Sequence, residues 1–239
     1  MSSSVLVEER DGVVVAAINR PTKRNAADLG TYRGLEASLE RATALGHVIT
    51  GVGSDFSAGD DVSMFDFDGL DDAATFIEEV QRVFAAIEAH PSPVVAAVDG
   101  YALGFGFELA LACDLVVATR RAVFGLPEIT HGAAPPNAMG RGVDVVGRGW
   151  IRHLALSGRH WLSGEEAHEL GLVAELHEPD DLLEAAVSLV ADMARTPTFA
   201  GSKRLLSIDS GSAYKLASMT MPPLMASEAV ATAHRRFVR

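Results

Sequence analysis

The sequence predicts an α/β fold, on three observations. Short β-rich segments alternate with helical ones over about 190 of the 239 residues. Two glycine-rich stretches each stand between a strand and a helix. After Thr196-Pro197 the pattern changes to helix alone, as an appended segment would. The chain is 48% hydrophobic and 22% charged, enough to bury a sizeable core without a disordered or low-complexity portion.

The elements follow in chain order. Val5-Leu6-Val7 and Val13 to Ile18 are β-rich, and Asp11-Gly12 between them supplies hairpin turn chemistry. Asn19-Arg20-Pro21 ends the second strand, and Asp28 is the expected N-cap of a helix with Leu29, Tyr32, Leu35 and Leu39 on one face. Val48-Ile49-Thr50 forms a strand running into Gly51-Val52-Gly53. The next helix, Asp72 to about Ala89, buries Phe76, Val80, Val83, Phe84 and Ile87. Pro91 and Pro93 open the strand Val94 to Val98, followed by a glycine-rich turn, an apolar helix from about Gly106 to Cys113, and a strand from Leu115 to Ala118. Ser163 with Glu166 three residues on is a capping box, and its helix stops near Gly171. Asp180 to about Arg195 is helical. The rest, to Arg239, reads helical with breaks at Gly201, Gly211 and Pro222-Pro223.

Charge and cysteine content exclude several classes. The net charge is −12, which repels nucleic acid and anionic lipid, and the basic pairs Arg120-Arg121 and Arg235-Arg236 are too small to reverse that. A single cysteine, Cys113, excludes an intrachain disulfide framework and a Cys-rich zinc module. The N-terminal Met1-Ser2-Ser3-Ser4 carries no signal-peptide pattern, and the most apolar stretch, Pro93 to Thr119, is interrupted by Asp99, Glu108 and Asp114. A soluble, cytoplasmic protein is expected.

Familiar catalytic motifs are missing from the sequence. The eight histidines show no metal-ligand spacing, and there is neither a GxSxG elbow nor a GxxxxGK[ST] loop. Gly104-Phe105-Gly106 begins like a dinucleotide fingerprint, but Leu109 stands where its third glycine belongs. Two glycine-rich turns remain, Gly51 to Val62 and Val98 to Glu108. Amides at such turns are exposed donors, and two turns brought face to face would stabilise an enolate or tetrahedral oxyanion. The same glycines would equally serve tight turns and close packing. Glu108, within Phe107-Glu108-Leu109-Ala110, and Glu128, within Leu126-Pro127-Glu128-Ile129, sit in apolar surroundings. A carboxylate buried there is costly unless it is paired or has a function. Two such groups beside an oxyanion hole could add or remove water or shift a proton.

These residues, in this order, resemble the crotonase superfamily, the enoyl-CoA hydratase/isomerase family. Asn19-Arg20-Pro21 with Asn25-Ala26 looks like its first signature, and Phe56 to Asp61 like its first oxyanion-hole loop. Val98 to Asp114 looks like its second loop and central helix. Leu126-Pro127-Glu128, Ala155 to Gly158, Glu166-Ala167 and Gly171-Leu172-Val173 keep the register.

The resemblance implies a crotonase-type spiral of repeated ββα units over residues 1–193, holding the acyl-CoA site, then a helical oligomerisation segment over 194–239. It implies hydration of a 2-enoyl-CoA, with another reaction of the family (isomerisation or acyl-CoA hydrolysis) or a non-catalytic acyl-CoA-binding role as alternatives. By the same resemblance Glu108 and Glu128 are catalytic, and the backbone amides of Asp60 and Phe105 form the oxyanion hole. Lys23, Arg24, Ala26 and Ala58 would bind coenzyme A. No metal or redox cofactor is implied, coenzyme A being part of the substrate, and the assembly would be a homotrimer or a dimer of trimers. This sequence departs from the family at Phe105, where a small residue is usual, and at Asp60, whose side chain is expected to point away from the site. It departs again in the His131 to Met139 segment, where Pro135-Pro136 could block a water site, and in its short tail after Phe237.

Overall fold

A computed structural model describes residues 3–41 and 45–206, with positions 219, 222, 223 and 226. Strands β1 (Val5–Arg10) and β2 (Val13–Ile18) form the expected antiparallel hairpin. Asp11 and Gly12 between them take φ of 50° and 79°, the left-handed geometry that suits an Asp-Gly turn. Helix α1 (Leu29–Leu39) is capped by Asp28, whose carboxylate accepts the Thr31 N–H at 2.8 Å while Thr31 Oγ1 accepts the Asp28 N–H at 3.2 Å. Tyr32, Leu35 and Leu39 are buried, whereas Leu29 in the first turn is 39% exposed and does not join them.

Next come β3 (Gly46–Gly51), α2 (Leu70–Ala89), β4 (Val94–Val98), β5 (Tyr101–Leu103), α3 (Phe105–Ala112), β6 (Leu115–Thr119) and β7 (Val123–Gly125). They are followed by α4 (Pro136–Val146), α5 (Arg148–Ser157), β8 (Trp161–Ser163), α6 (Gly164–Glu169), β9 (Glu175–His177), α7 (Leu182–Ala194) and α8 (Phe199–Leu206). The expected capping box at Ser163 and Glu166 opens α6, and Gly171, with φ of 82°, follows its end.

Two sheets result. The larger runs β1-β2-β3-β4-β6-β9, parallel from β2 onward, and the smaller runs β5-β7-β8. Successive turns of chain supply one strand to each: β4 then β5, β6 then β7. An isolated parallel bridge between Ser57 and Ala102 adds the turn after β3 to the same series. This is a spiral, and it stacks the loop after β3 directly on the loop after β4. Alternation along the large sheet then separates two cores. Val13, Val15, Val48, Val95, Ala97 and Val117 face α7, while Ala16, Ile18, Ile49, Ala96 and Val98 face the helices on the other side.

The C-terminal segment departs from expectation at Gly201, which lies inside α8 and does not break it. Helix α8 docks on the core through Lys203, 7% exposed, whose ammonium donates to the Ile87 carbonyl and to Asp114 Oδ2, each at 2.9 Å. Pro222 is helical and its carbonyl accepts the Ala226 N–H at 3.0 Å. Gly211, Arg235-Arg236 and the Ser227 to Phe237 run lie outside the described residues. Among the described residues no helix is long and apolar enough to cross a membrane.

Candidate active site

The two stacked loops and the N-terminus of α4 enclose a cavity of about 250 Å³. Ala26, Ala58, Asp60, Phe105, Glu108 and Glu128, six of the eight residues singled out from the sequence, line it. Glycines allow the loops to meet. Gly59 and Gly104 both have positive φ, 107° and 53°, and a Cβ on Gly59 would lie 3.2 Å from the Leu103 carbonyl oxygen and 4.0 Å from the Gly104 Cα. A side chain at either position would push the loops apart.

The residues after these two glycines carry free-standing amides by construction. Ala27 and Asp60 form an isolated parallel bridge, in which the Ala27 N–H donates to the Gly59 carbonyl and the Asp61 N–H donates to the Ala27 carbonyl. The Asp60 N–H, one residue out of phase, is directed to the opposite edge. Phe105 opens α3, so its N–H is one of the first-turn donors that no helical carbonyl reaches.

Glu108 projects from the first turn of α3 and is 6% exposed. Its Oε1 accepts the backbone N–H of Asn137 at 2.8 Å and of Ala138 at 2.9 Å. These are orphan donors at the N-terminus of α4, where Pro136 takes the first helical position. Burial nonetheless pushes the Glu108 carboxyl up to about 7; the Ala138 N–H draws it down and the charge of Asp60 raises it further.

Glu128, in a 3-10 turn (Glu128–His131), has both carboxyl oxygens buried with no hydrogen-bond partner among the described residues. Burial first, then the charge of Glu108, raise its pKa well above the ordinary glutamate value. The cavity thus holds one carboxyl fixed by two amides and a second with no hydrogen-bond partner from another residue among those described, both raised by burial.

The enoyl-CoA hydratase/isomerase family matches residues 8–206. The chain belongs to that family. It is 38% identical over 198 residues to 2,3-dehydroadipyl-CoA hydratase of Escherichia coli (strain K12), covering 81% of this chain and 76% of that one. With the short-chain-enoyl-CoA hydratase of Clostridium acetobutylicum it shares 32% over 190 residues, 77% of this chain and 72% of the other. Among solved structures, an enoyl-CoA hydratase from Mycobacterium avium subsp. paratuberculosis K-10 superposes with a TM-score of 0.87 at 27% identity, covering 98% of this chain and 99% of that one. The α/β spiral is therefore the crotonase fold.

In this family member the remaining expected site residues, Lys23 and Arg24, lie at the turn before Ala26 and do not line the cavity. The Lys23 ammonium pairs with Asp61 at 2.7 Å, and the Arg24 guanidinium lies over the Tyr101 ring, 5.0 Å from its centroid. The Ala58 N–H already donates to the Arg24 carbonyl and the Ala26 N–H to the Lys23 carbonyl, so these alanines can offer a ligand only carbonyl oxygens, and that of Ala26 already accepts from the Arg20 guanidinium.

Asp60 lines the cavity, and its carboxylate is tied to a residue outside that lining: Oδ1 accepts the Tyr32 hydroxyl at 2.6 Å. Burial pushes its pKa up to about 6, against the lowering effect of that hydrogen bond. Pro136 lines the cavity and begins the helix whose amides hold Glu108. Proline at N1 was the available sign of that helix. Asn137, Ala138 and Tyr32 are the site residues that sequence reading missed. Phe105 keeps its ring 1% exposed, packed against Tyr32 and Phe84.

Proposed function

We propose that this protein is an enoyl-CoA hydratase, a carbon–oxygen lyase that adds water across the 2,3 double bond of a 2-enoyl-CoA. The observation that carries this reading is the pair of buried carboxyls on one cavity, Glu108 held by the Asn137 and Ala138 amides and Glu128 with no hydrogen-bond partner from another residue among those described. Burying two carboxyls side by side is costly, and a fold retains such a pair where the chemistry uses it.

In the reaction, Glu108 orients the water and accepts its proton as the oxygen bonds to Cβ. Glu128, whose carboxyl burial and the neighbouring Glu108 charge raise above its ordinary pKa, delivers a proton to Cα. The electrons of the double bond pass toward the thioester, whose oxygen becomes enolate-like. The Asp60 and Phe105 amides stabilise that oxygen most strongly in the transition state. The next water returns a proton from Glu108 to Glu128. Oxidation states do not change over the whole reaction, so it calls for no redox cofactor, and the amide pair supplies the electrophilic assistance that a metal would. Ala26 and Ala58 carbonyls would receive the adenine, with Lys23 and Arg24 near the phosphates.

A homotrimer or dimer of trimers belongs to the same reading, supported by the exposed Met139, Val145 and Leu156 on α4 and α5. So does a cytoplasmic setting, supported by the single free Cys113. Incubation with crotonyl-CoA and mass analysis of the product tests the chemistry. Hydration gives a product one water heavier, isomerisation an equal mass, and hydrolysis a free thiol. Only the first agrees with the proposal.

A further inference from the structure

Tyr32 is completely buried directly behind the cavity wall, against the lining residues Asp60, Phe76 and Phe105. It touches both residues whose amides face the thioester oxygen. Its hydroxyl donates to Asp60 Oδ1 at 2.6 Å. Its ring meets the Phe105 ring edge-on, with centroids 5.2 Å apart and planes at 66°. Phe105 is braced from its other side by Phe84 at 5.5 Å, and Tyr32 by Phe76 at 5.9 Å. No other side chain described here joins the two loops through the side chains of these two residues.

We propose that Tyr32 is a positioning residue that fixes the separation and direction of the Asp60 and Phe105 amides. This rests on the assignment of those amides as the oxyanion hole. An oxyanion hole works only if its donors stand where the charge will develop, so a tie that holds both donors acts on the transition state more than on the ground state. Tyr32 is itself well anchored. The Asp28–Thr31 capping box fixes the first turn of α1 directly before it, and the Ala27–Asp60 bridge fixes the start of that segment to the first loop. Burial, and then the Asp60 charge, hold the phenol well above its ordinary pKa, so it remains a donor throughout the working pH range.

The arrangement also accounts for the two departures at this site. Phe105 gives the second loop a ring for Tyr32 to hold, and Asp60 gives the first loop an acceptor. With small residues at both positions Tyr32 would have nothing to grip. A short hydrogen bond to a carboxylate and an edge-on aromatic contact are each directional, so together they set an angle as well as a distance.

The test reads carbonyl polarisation directly, with 4-(dimethylamino)cinnamoyl-CoA, a push–pull chromophore whose absorption moves red when its thioester oxygen accepts hydrogen bonds. Steady-state hydration of crotonyl-CoA runs alongside. Tyr32→Phe keeps the ring contact and removes the hydroxyl. The expected result is a smaller red shift and a kcat lower by about tenfold, with KM changed by less than about twofold. Asp60→Ala cuts the same tie from the other end, should Tyr32→Phe fold poorly, and is expected to reduce the shift likewise. Asp60→Asn, which retains an acceptor for the hydroxyl, is expected to lose less of the shift than Asp60→Ala.

An unchanged red shift in Tyr32→Phe overturns the positioning role, as do equal losses in Asp60→Asn and Asp60→Ala. A wild-type protein that binds the chromophore with no red shift overturns the oxyanion-hole assignment itself, and the positioning role falls with it.

Discussion

A Cβ on Gly104 would stand 3.1 Å from Oε1 of Glu128. The glycine that lets the second loop turn into α3 is therefore also the floor on which the second carboxyl rests. Its φ of 53° is one that side-chain-bearing residues seldom adopt. Gly104→Ala meets both objections together. The expected outcome is a loss of about 1–3 kcal/mol in stability and of about a hundredfold in kcat/KM as Glu128 and the Phe105 amide are displaced. Urea melts and steady-state kinetics on the same preparation check the two halves.

The buried carboxyls make stability depend on pH in a direction opposite to the usual acid loss. Glu108 is raised by burial from an ordinary glutamate value to about 7. The folded state therefore binds more protons than the unfolded one between those values, and stability falls as pH rises through that window. Below the ordinary glutamate pKa the penalty is absent, and above about 7 it is fully present. Glu108→Gln removes the penalty and keeps an acceptor for the Asn137 and Ala138 amides. The variant is expected to melt at a higher temperature than wild type at pH 8, with the difference shrinking toward pH 5. Thermal melts across that range decide it.

Lys203 binds α8 to the core through a buried ion pair. Lys203→Met leaves the largely covered Asp114 carboxylate beside the Ile87 carbonyl without its cation. The expected loss is about 3–5 kcal/mol, since removing one partner leaves an uncompensated charge. Replacing both residues, Lys203→Met with Asp114→Asn, is expected to recover part of it. A double-mutant cycle by denaturant unfolding measures the coupling.

Much of this architecture was legible because local chemistry announces it. Asp11-Gly12 gave a turn with positive φ at both positions, Asp28 and Ser163 capped their helices, and Val94 to Val98 is a strand with the bounds expected. The strands β5, β7, β8 and β9 were not read, since three residues carry no period and each exists through its neighbours in the sheet. Glu108 and Glu128 stood out as carboxyls in apolar runs. What holds Glu108 was hidden, because the Pro135-Pro136 sequence read as loop and the amides of α4 meet Glu108 only in the fold. Tyr32 read as a core residue on an amphipathic helix, which it is. Its hydroxyl finds Asp60 across 28 positions of sequence, a distance that no local pattern spans.

The central claim is that Glu108 and Glu128 perform hydration together, and the loss of enoyl-thioester absorbance from crotonyl-CoA tests it most directly. Wild-type protein should consume the absorbance, and Glu108→Gln and Glu128→Gln should each slow turnover by about 10²-fold or more while still binding coenzyme A thioesters. Wild-type protein that binds crotonyl-CoA and leaves its absorbance unchanged, or a variant that hydrates it at the wild-type rate, would contradict the account.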